Sequence, residues 1–102
     1  HGEQRQLEIA MTLATEPRVL LLDEPLAGMG AEESQRMVAL IARLGETHAV
    51  LLVEHDMDAV FSVASVLTVM VNGGVLEQGA PAAIRESASV QEAYLGTAEV
   101  TP

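Results

Sequence analysis

The sequence predicts an α/β fold of mainly parallel strands joined by crossover helices, with a β-hairpin near the carboxyl terminus. Two short unbroken apolar runs, residues 19–22 and 49–53, are typical of strands buried on both faces of a parallel sheet. A helical pattern lies between them, and this order implies a parallel pair with a right-handed crossover. Later in the chain, Asn72-Gly73 between two apolar segments is the strongest short hairpin signal.

The composition indicates one folded unit and argues against several classes of protein. The 102 residues are 49% hydrophobic, enough for a sizeable core. A formal net charge of −10 repels phosphate backbones, so we expect no nucleic-acid partner. The absence of cysteine excludes disulfides and thiolate metal sites. No apolar stretch reaches the roughly 18 to 20 residues that a membrane-spanning helix needs, so we expect no direct membrane insertion.

Three segments have helical periodicity. Residues 3–15 form the first, and Pro17 ends it because the residue before proline disfavours the α conformation. Its expected buried stripe consists of Leu7, Ala10, Met11 and Ala14. Residues 31–44 form the clearest helix, with Gly45 as a C-terminal cap. Its expected stripe consists of Met37, Leu40, Ile41 and Leu44. Asp56 can cap a third helix that begins at the next residue.

Polar residues follow both predicted parallel strands. Asp23 and Glu24 come directly after the first strand, and His55 comes just after the second. Ligands of open α/β sheets bind at the carboxyl ends of the strands, so these side chains indicate a site. The alternative is that Asp23-Glu24 before Pro25 only begins a loop, and that His55 is a capping or solvent-exposed residue.

In the last third of the chain the spacing of apolar residues changes, and the pattern there predicts shorter helices and strands. These are a strand, a returning antiparallel strand and two short helices, at residues 66–71, 75–77, 81–86 and 90–95. Asn72-Gly73 makes the turn between the strands, and Pro81 suits the first turn of a helix. We expect residues 97–102 to be a loose tail.

The order of these segments resembles the second half of an ATP-binding cassette (ABC) ATPase over nearly the whole chain. Residues 19–24 resemble the Walker B strand with its catalytic glutamate, and His55 resembles the switch histidine. The first residues, His1, Gly2, Glu3 and Gln4, resemble the end of the signature motif, Leu-Ser-Gly-Gly-Gln. Gly2 matches its second glycine, whereas His1 replaces the first glycine and Glu3 replaces the glutamine.

Other segments also resemble this family, although one of them differs from the usual family motif. Ala27, Gly28, Met29 and Gly30 occupy the D-loop position but are not the common Ser-Ala-Leu-Asp. The two glycines among them also suit an ordinary turn. Three segments are similar to ATPase subunits of branched-chain amino acid and urea importers. They are residues 24–30, Glu-His-Asp-Met at 54–57 and Glu-Ala-Tyr-Leu-Gly at 92–96.

The resemblance implies a role for each site residue. Asp23 would hold Mg²⁺, through water, against the phosphates of ATP. Glu24 would orient or deprotonate the attacking water, and His55 would hydrogen-bond the γ-phosphate. Residues 1–4 would present a helix N-terminus to ATP bound by the opposite subunit of a dimer. The D-loop position, residues 27–30, would lie at the same dimer interface.

What the sequence lacks limits what this chain can do alone. A phosphate loop, Gly-x-x-x-x-Gly-Lys-Ser/Thr, is absent, since the chain contains no lysine. The resemblance therefore implies that residues 1–102 are the C-terminal portion of a P-loop NTPase domain, beginning inside the signature and inactive in isolation.

As part of a complete domain, the resemblance implies ATP hydrolysis that powers import of branched-chain amino acids or urea. The implied partners are a second ATPase subunit and transmembrane permease subunits, which would hold the protein at the cytoplasmic face of the cell membrane. Two alternatives remain open at this point: a soluble ABC ATPase outside transport, and a catalytically inert fragment.

Overall fold

The computed structural model describes residues 2–95; His1 and the expected loose tail, residues 97–102, lie outside this range. The helices and strands, in chain order, are α1 (Gly2–Leu13), β1 (Val19–Asp23), α2 (Ala31–Leu44), β2 (Ala49–Val53), α3 (Met57–Val63), β3 (Leu67–Val71), β4 (Gly74–Gly79), α4 (Pro81–Glu86) and α5 (Ala88–Val90), which continues into a π-helical turn (Gln91–Leu95). The chain divides into two compact units, His1–Val63 and Ala64–Pro102. None of the helices formed by the described residues has the length and apolar character needed to cross a membrane.

The first unit is built on the parallel pair that the two apolar runs predict. β1 and β2 run side by side in the same direction, with Val19 opposite Ala49 and Asp23 opposite Val53. β1 is one residue longer than expected, because Asp23 still belongs to the ladder. The parallel pairing brings the carboxyl ends of both strands to one edge of the sheet.

α2 connects the two strands and has the bounds that its periodicity predicts. Met37, Ile41 and Leu44 are buried and Leu40 is half-buried, so the predicted stripe is confirmed. Gly45 is the C-cap residue, as expected. The core of the unit combines α2 with residues from the other helices, β1 and the loop after it: Ile9, Leu20, Leu26, Met37, Ile41, Leu44 and Ala59.

The expectation of strands buried on both faces is wrong for the described residues. Leu20 is 1% exposed, whereas its neighbour Leu21 is 72% exposed. Successive side chains of a strand point to opposite faces, and the described core lies on one face of this two-stranded sheet. The other face exposes four apolar side chains, those of Val19, Leu21, Leu51 and Val53.

The predicted buried stripe of α1 is also wrong. Leu7 and Met11 are 61% and 65% exposed, and Ala10 and Ala14 are exposed as well. Ile9 is buried and Leu13 packs against the core instead. Apolar residues lie on two sides of this helix, and periodicity alone does not decide which side meets the core.

α3 begins as predicted at a side-chain cap. The Oδ1 atom of Asp56 accepts a hydrogen bond from the backbone N–H of Ala59, at 3.2 Å. Ala59 is the buried residue of this helix and joins the core of the first unit. The cap therefore fixes the start of α3 directly after His55.

The second unit begins with the predicted antiparallel hairpin. β3 and β4 pair across Asn72-Gly73, whose φ angles of 51° and 79° are those of a tight hairpin turn. β4 is longer than expected, at Gly74–Gly79, and the register shifts between Val69 and Met70. The shift is a bulge, which changes how side chains alternate along the pair.

Two short helices follow the hairpin. α4 has the predicted bounds, with Pro81 in its first turn. The second helix starts earlier than residue 90, because Ser87 Oγ caps it by accepting the backbone N–H of Val90. Tyr94 then donates its hydroxyl proton to the carbonyl of Met70 in β3. The unit has its own buried residues, Leu67, Val69, Ile84 and Val90.

Candidate functional site at the carboxyl ends of the parallel strands

The residues that follow β1 and β2 meet at one edge of the sheet. The backbone N–H of Glu24 donates to the carbonyl of Val53 at 2.7 Å, which extends the contact between the strands by one residue. Beyond it, Nδ1 of His55 lies 2.8 Å from Oε1 of Glu24. Both side chains are accessible to a ligand, at 78% exposure for His55 and 51% for Glu24.

The chemistry of this pair determines which hydrogen bonds His55 can make. An ionised carboxylate only accepts, so His55 donates from Nδ1 to Glu24 in this arrangement. In a neutral imidazole, Nε2 is then an acceptor. His55 can therefore donate to a phosphate oxygen only as an imidazolium or after its ring turns away from Glu24.

Glu24 has a backbone conformation that the sequence does not reveal. Its φ angle is +48°, in the left-handed region that costs a residue with a side chain about 1–3 kcal/mol. A turn in which the N–H of Ala27 donates to the carbonyl of Glu24 follows directly, and Pro25 between them is buried. The surrounding contacts hold Glu24 in a conformation that it would rarely adopt alone.

Glu54 belongs to the candidate site, although no pattern in the sequence indicates a role for it. Its side chain is only 1% exposed. Oε2 accepts the backbone N–H of Leu26 at 3.1 Å, and Oε1 accepts the N–H of His55 at 3.0 Å. Oε1 also lies 3.5 Å from Nδ1 of His55. The only available signal was its position directly after a strand, beside His55.

Two candidates for binding a cation lie at this edge: a cluster of Glu24, Glu54 and His55, and the single carboxylate of Asp23. Glu24, Glu54 and His55 hold ligand atoms within 4.8 Å of one another, but both Glu54 oxygens already accept backbone N–H groups. Asp23 is different: its exposed carboxylate has no hydrogen bond or ion pair to any of the residues 2–95. Carboxylate oxygens are the ligands that Mg²⁺ prefers, so Asp23 fits the role that the resemblance implies.

The residues that resemble the signature motif lie at the start of α1, and His1 lies outside the described residues. The backbone N–H of Gly2 donates to Oε2 of Glu33 in α2, at 2.9 Å, and a Cβ at Gly2 would collide with that oxygen. A helix N-terminus favours an anion. Here one of the N–H groups that have no partner within the helix, that of Gly2, donates to a carboxylate of the same chain. Glu3 and Gln4 are exposed beside it.

The residues at the D-loop position form two successive turns between Glu24 and α2. The N–H of Met29 donates to the carbonyl of Leu26 at 3.1 Å, and Met29 packs against the core. Gly28 has a φ of +78°, which favours glycine, whereas Gly30 has an ordinary φ of −76°. Ala27 and Gly28 are exposed. The loop thus leads from the sheet edge to α2, whose Glu33 contacts α1.

Proteins of known role resemble this chain along nearly its whole length, although no protein-family model matches it. The high-affinity branched-chain amino acid transport ATP-binding protein BraF of Pseudomonas aeruginosa is 46% identical over 100 residues. LivG of Escherichia coli, a protein with the same description, is 42% identical over 100 residues. Each match covers 96% of this chain and 39% of the relative, so the chain spans about two fifths of the length of these relatives.

Solved structures agree with the sequence relatives. The ADP conformation of MJ1267, an ATP-binding cassette of an ABC transporter, matches 93% of this chain and 39% of its own, with a TM-score of 0.80 at 27% identity. A second structure of MJ1267 has a TM-score of 0.78 at 26% identity. These matches confirm the expected α/β architecture of an ABC ATPase domain. On fold and sequence together, the chain belongs to the family of ABC transporter ATP-binding proteins.

Proposed function

We propose that this chain is the C-terminal part of a subunit that hydrolyses ATP to power solute import. The observation that carries the proposal is the 2.8 Å contact between Glu24 and His55 at the carboxyl ends of two parallel strands. This edge is where open α/β sheets bind ligands. The pair combines a carboxylate that can accept a proton from water with an imidazole that can hold that carboxylate in place.

Three side chains at this edge have separate roles in the proposed hydrolysis. The exposed carboxylate of Asp23 would hold Mg²⁺, which when bound would neutralise charge on the phosphates. Glu24 orients the attacking water and accepts its proton. His55 fixes the direction of the Glu24 carboxylate and, once its ring turns or becomes charged, donates to the γ-phosphate. Positioning of this kind is a large part of catalysis in phosphoryl transfer.

The start of α1 serves the second active site of a dimer in this proposal. Its free N–H groups favour a phosphate of ATP held by the opposite subunit. Glu33 already accepts one of those groups, that of Gly2, and its carboxylate repels a phosphate. Full binding in trans therefore requires Glu33 to move or to be screened, and residues 27–30 lead directly to the helix that carries it.

The relatives support a particular solute and particular partners for this proposal. BraF and LivG are described as ATP-binding proteins of branched-chain amino acid transport, which favours these amino acids over urea. The protein would then bind permease subunits at the cytoplasmic face of the membrane and pair with a second ATPase subunit. The chain's own net charge of −10 agrees with a partner other than nucleic acid.

The test uses the full-length protein that contains these residues, reconstituted in vesicles with branched-chain amino acid permease subunits from the same organism. We expect Mg-ATP-dependent uptake of labelled leucine but not of labelled urea. Urea uptake would correct the solute and keep the mechanism. Hydrolysis that no permease affects would favour a soluble ABC ATPase, and absence of any hydrolysis would favour an inert protein.

A further inference from the structure

The Glu54 carboxylate is the buried member of an otherwise accessible group. Its side chain is 1% exposed, whereas those of Glu24 and His55 are 51% and 78% exposed. Acidic side chains are almost never fully buried unless they are paired. Glu54 is therefore poorly placed to touch a substrate directly, and the reason for its burial has to lie in what it binds within the protein.

Both Glu54 oxygens bind backbone groups, and these groups belong to different loops. Oε2 accepts the N–H of Leu26, in the loop after β1, at 3.1 Å. Oε1 accepts the N–H of His55, in the loop after β2, at 3.0 Å. Hydrogen bonds to an ionised acceptor are roughly twice as strong as neutral ones. One carboxylate thus joins the two loops that carry the side chains at the sheet edge.

The tether to Leu26 acts on the backbone of Glu24. Leu26 is buried and lies two residues after Glu24, inside the turn in which Ala27 donates to the Glu24 carbonyl. Glu24 has a left-handed φ of +48° that needs support from its surroundings. If the Leu26 N–H lost its acceptor, this turn would be freer to relax and the Glu24 side chain would change direction.

The tether to His55 acts on the other partner of the pair. It fixes the backbone of His55 between the end of β2 and the Asp56 cap of α3. Oε1 of Glu54 also lies 3.5 Å from Nδ1 of His55, on the same side as the Glu24 carboxylate. The imidazole therefore keeps Nδ1 towards the two carboxylates and leaves Nε2 for another partner.

We propose that Glu54 is a positioning residue, which sets the distance and direction of Glu24 relative to His55 through these two backbone hydrogen bonds. The inference rests on the proposed ATP hydrolysis, because it assigns Glu54 a role in the same site. Because its side chain is 1% exposed, Glu54 acts through other residues and not by direct contact with a substrate. Its loss therefore lowers the rate of the chemical step and leaves ATP affinity largely intact.

The test compares Glu54→Ala and Glu54→Gln in the full-length protein. Alanine removes both acceptors, and we expect kcat to fall by about 10- to 100-fold, the cost of a misplacement of roughly 1 Å, with little change in the KM for ATP. Glutamine keeps one acceptor oxygen and should give an intermediate kcat. Glu46→Gln is the matched control, because Glu46 is exposed before the opposite end of β2.

A second measurement does not depend on hydrolysis. Amide hydrogen exchange of the nucleotide-free protein should become faster at Leu26 and His55 in Glu54→Ala, and not in Glu46→Gln. Unchanged exchange at both amides, or wild-type kcat in the folded alanine variant, would overturn the inference. If Glu54→Ala does not fold, Glu54→Gln decides by the same measurements.

The two proposals can fail separately. If Glu24→Gln keeps wild-type turnover, the proposed hydrolytic role of this edge fails, while hydrogen exchange still tests the tether. If Glu24→Gln lowers turnover as expected and both Glu54 variants hydrolyse ATP normally, the role of Glu54 fails and the proposed function stands.

Discussion

His55 and Glu24 are 31 residues apart in the chain, and the Nδ1 atom of one lies 2.8 Å from the Oε1 atom of the other. The contact exists because β1 and β2 pair in parallel, so both strands end at the same edge of the sheet. Exposed pairs of this kind add little to stability, so its value lies in orientation. The first two predictions concern these two side chains.

Replacing Glu24 with glutamine in the full-length protein should preserve ATP binding and lower turnover by roughly 10²- to 10⁴-fold. The amide keeps the size of the side chain and can still accept from His55, but it cannot take a proton from water. Steady-state hydrolysis and nucleotide binding should be measured on the same preparation. Unchanged hydrolysis would show that another group activates the water.

Replacing His55 with alanine should lower turnover by roughly 10- to 150-fold, the cost of about 1.5 to 3 kcal/mol for one hydrogen bond to a charged group. The thermal midpoint should change little, because the side chain is 78% exposed. The measurements are turnover per folded molecule and Tm. A lower Tm with normal turnover would mean that His55 is only structural.

The isolated 102-residue chain should bind Mg-ATP weakly or not at all. The phosphate loop, with its N–H groups and its lysine, supplies most of the contacts to the phosphates, and this chain has no lysine. Calorimetric titration is the direct measurement. Submicromolar affinity would contradict the proposal that these residues form only part of the site.

The loop between Glu24 and α2 allows a matched pair of glycine substitutions. Gly28→Ala should destabilise the protein by about 1–2 kcal/mol, because an L-residue is disfavoured at its φ of +78°. Gly30→Ala should have a smaller effect, because its φ is −76° and, among residues 2–95, no atom outside its chain neighbours lies within 4 Å of the added Cβ. Alanine stiffens the unfolded chain, and this gain opposes the loss of glycine as the N-cap residue of α2.

Denaturant unfolding of both glycine variants gives the two free energies directly. Equal effects at the two positions would mean that backbone conformation does not account for the difference. The rate of ATP hydrolysis by the same variants in the full-length protein would show whether the conformation of this loop affects turnover as well as stability.

Local patterns in the sequence were sufficient for much of the fold. The stripe of α2 gave its buried face, because Met37 and Ile41 recur at the helical period and have one core to face. Asn72-Gly73 predicted the hairpin turn, because few other residue pairs tolerate two positive φ angles. The strand ends placed Glu24 and His55 at one edge, since parallel strands finish on the same side.

The same patterns were insufficient for elements that have two apolar faces, because either face could pack against the core. α1 has apolar residues on two sides, and the core took Ile9 and left Leu7 exposed. An unbroken apolar run such as residues 19–22 is compatible with one buried face or two, and only the set of neighbours decides. In the described structure, helices cover the Leu20 side and leave Leu21 exposed.

The support of the site came entirely from tertiary structure. Glu54 and Leu26 are 28 residues apart, and nothing local in the sequence predicts that a carboxylate from one loop accepts the N–H of the other. The same holds for Gly2 and Glu33, which are 31 apart. Periodicity and turn chemistry act over a few residues, so they determine elements and their ends. Contacts between elements depend on which faces meet, and that is decided only when the chain packs.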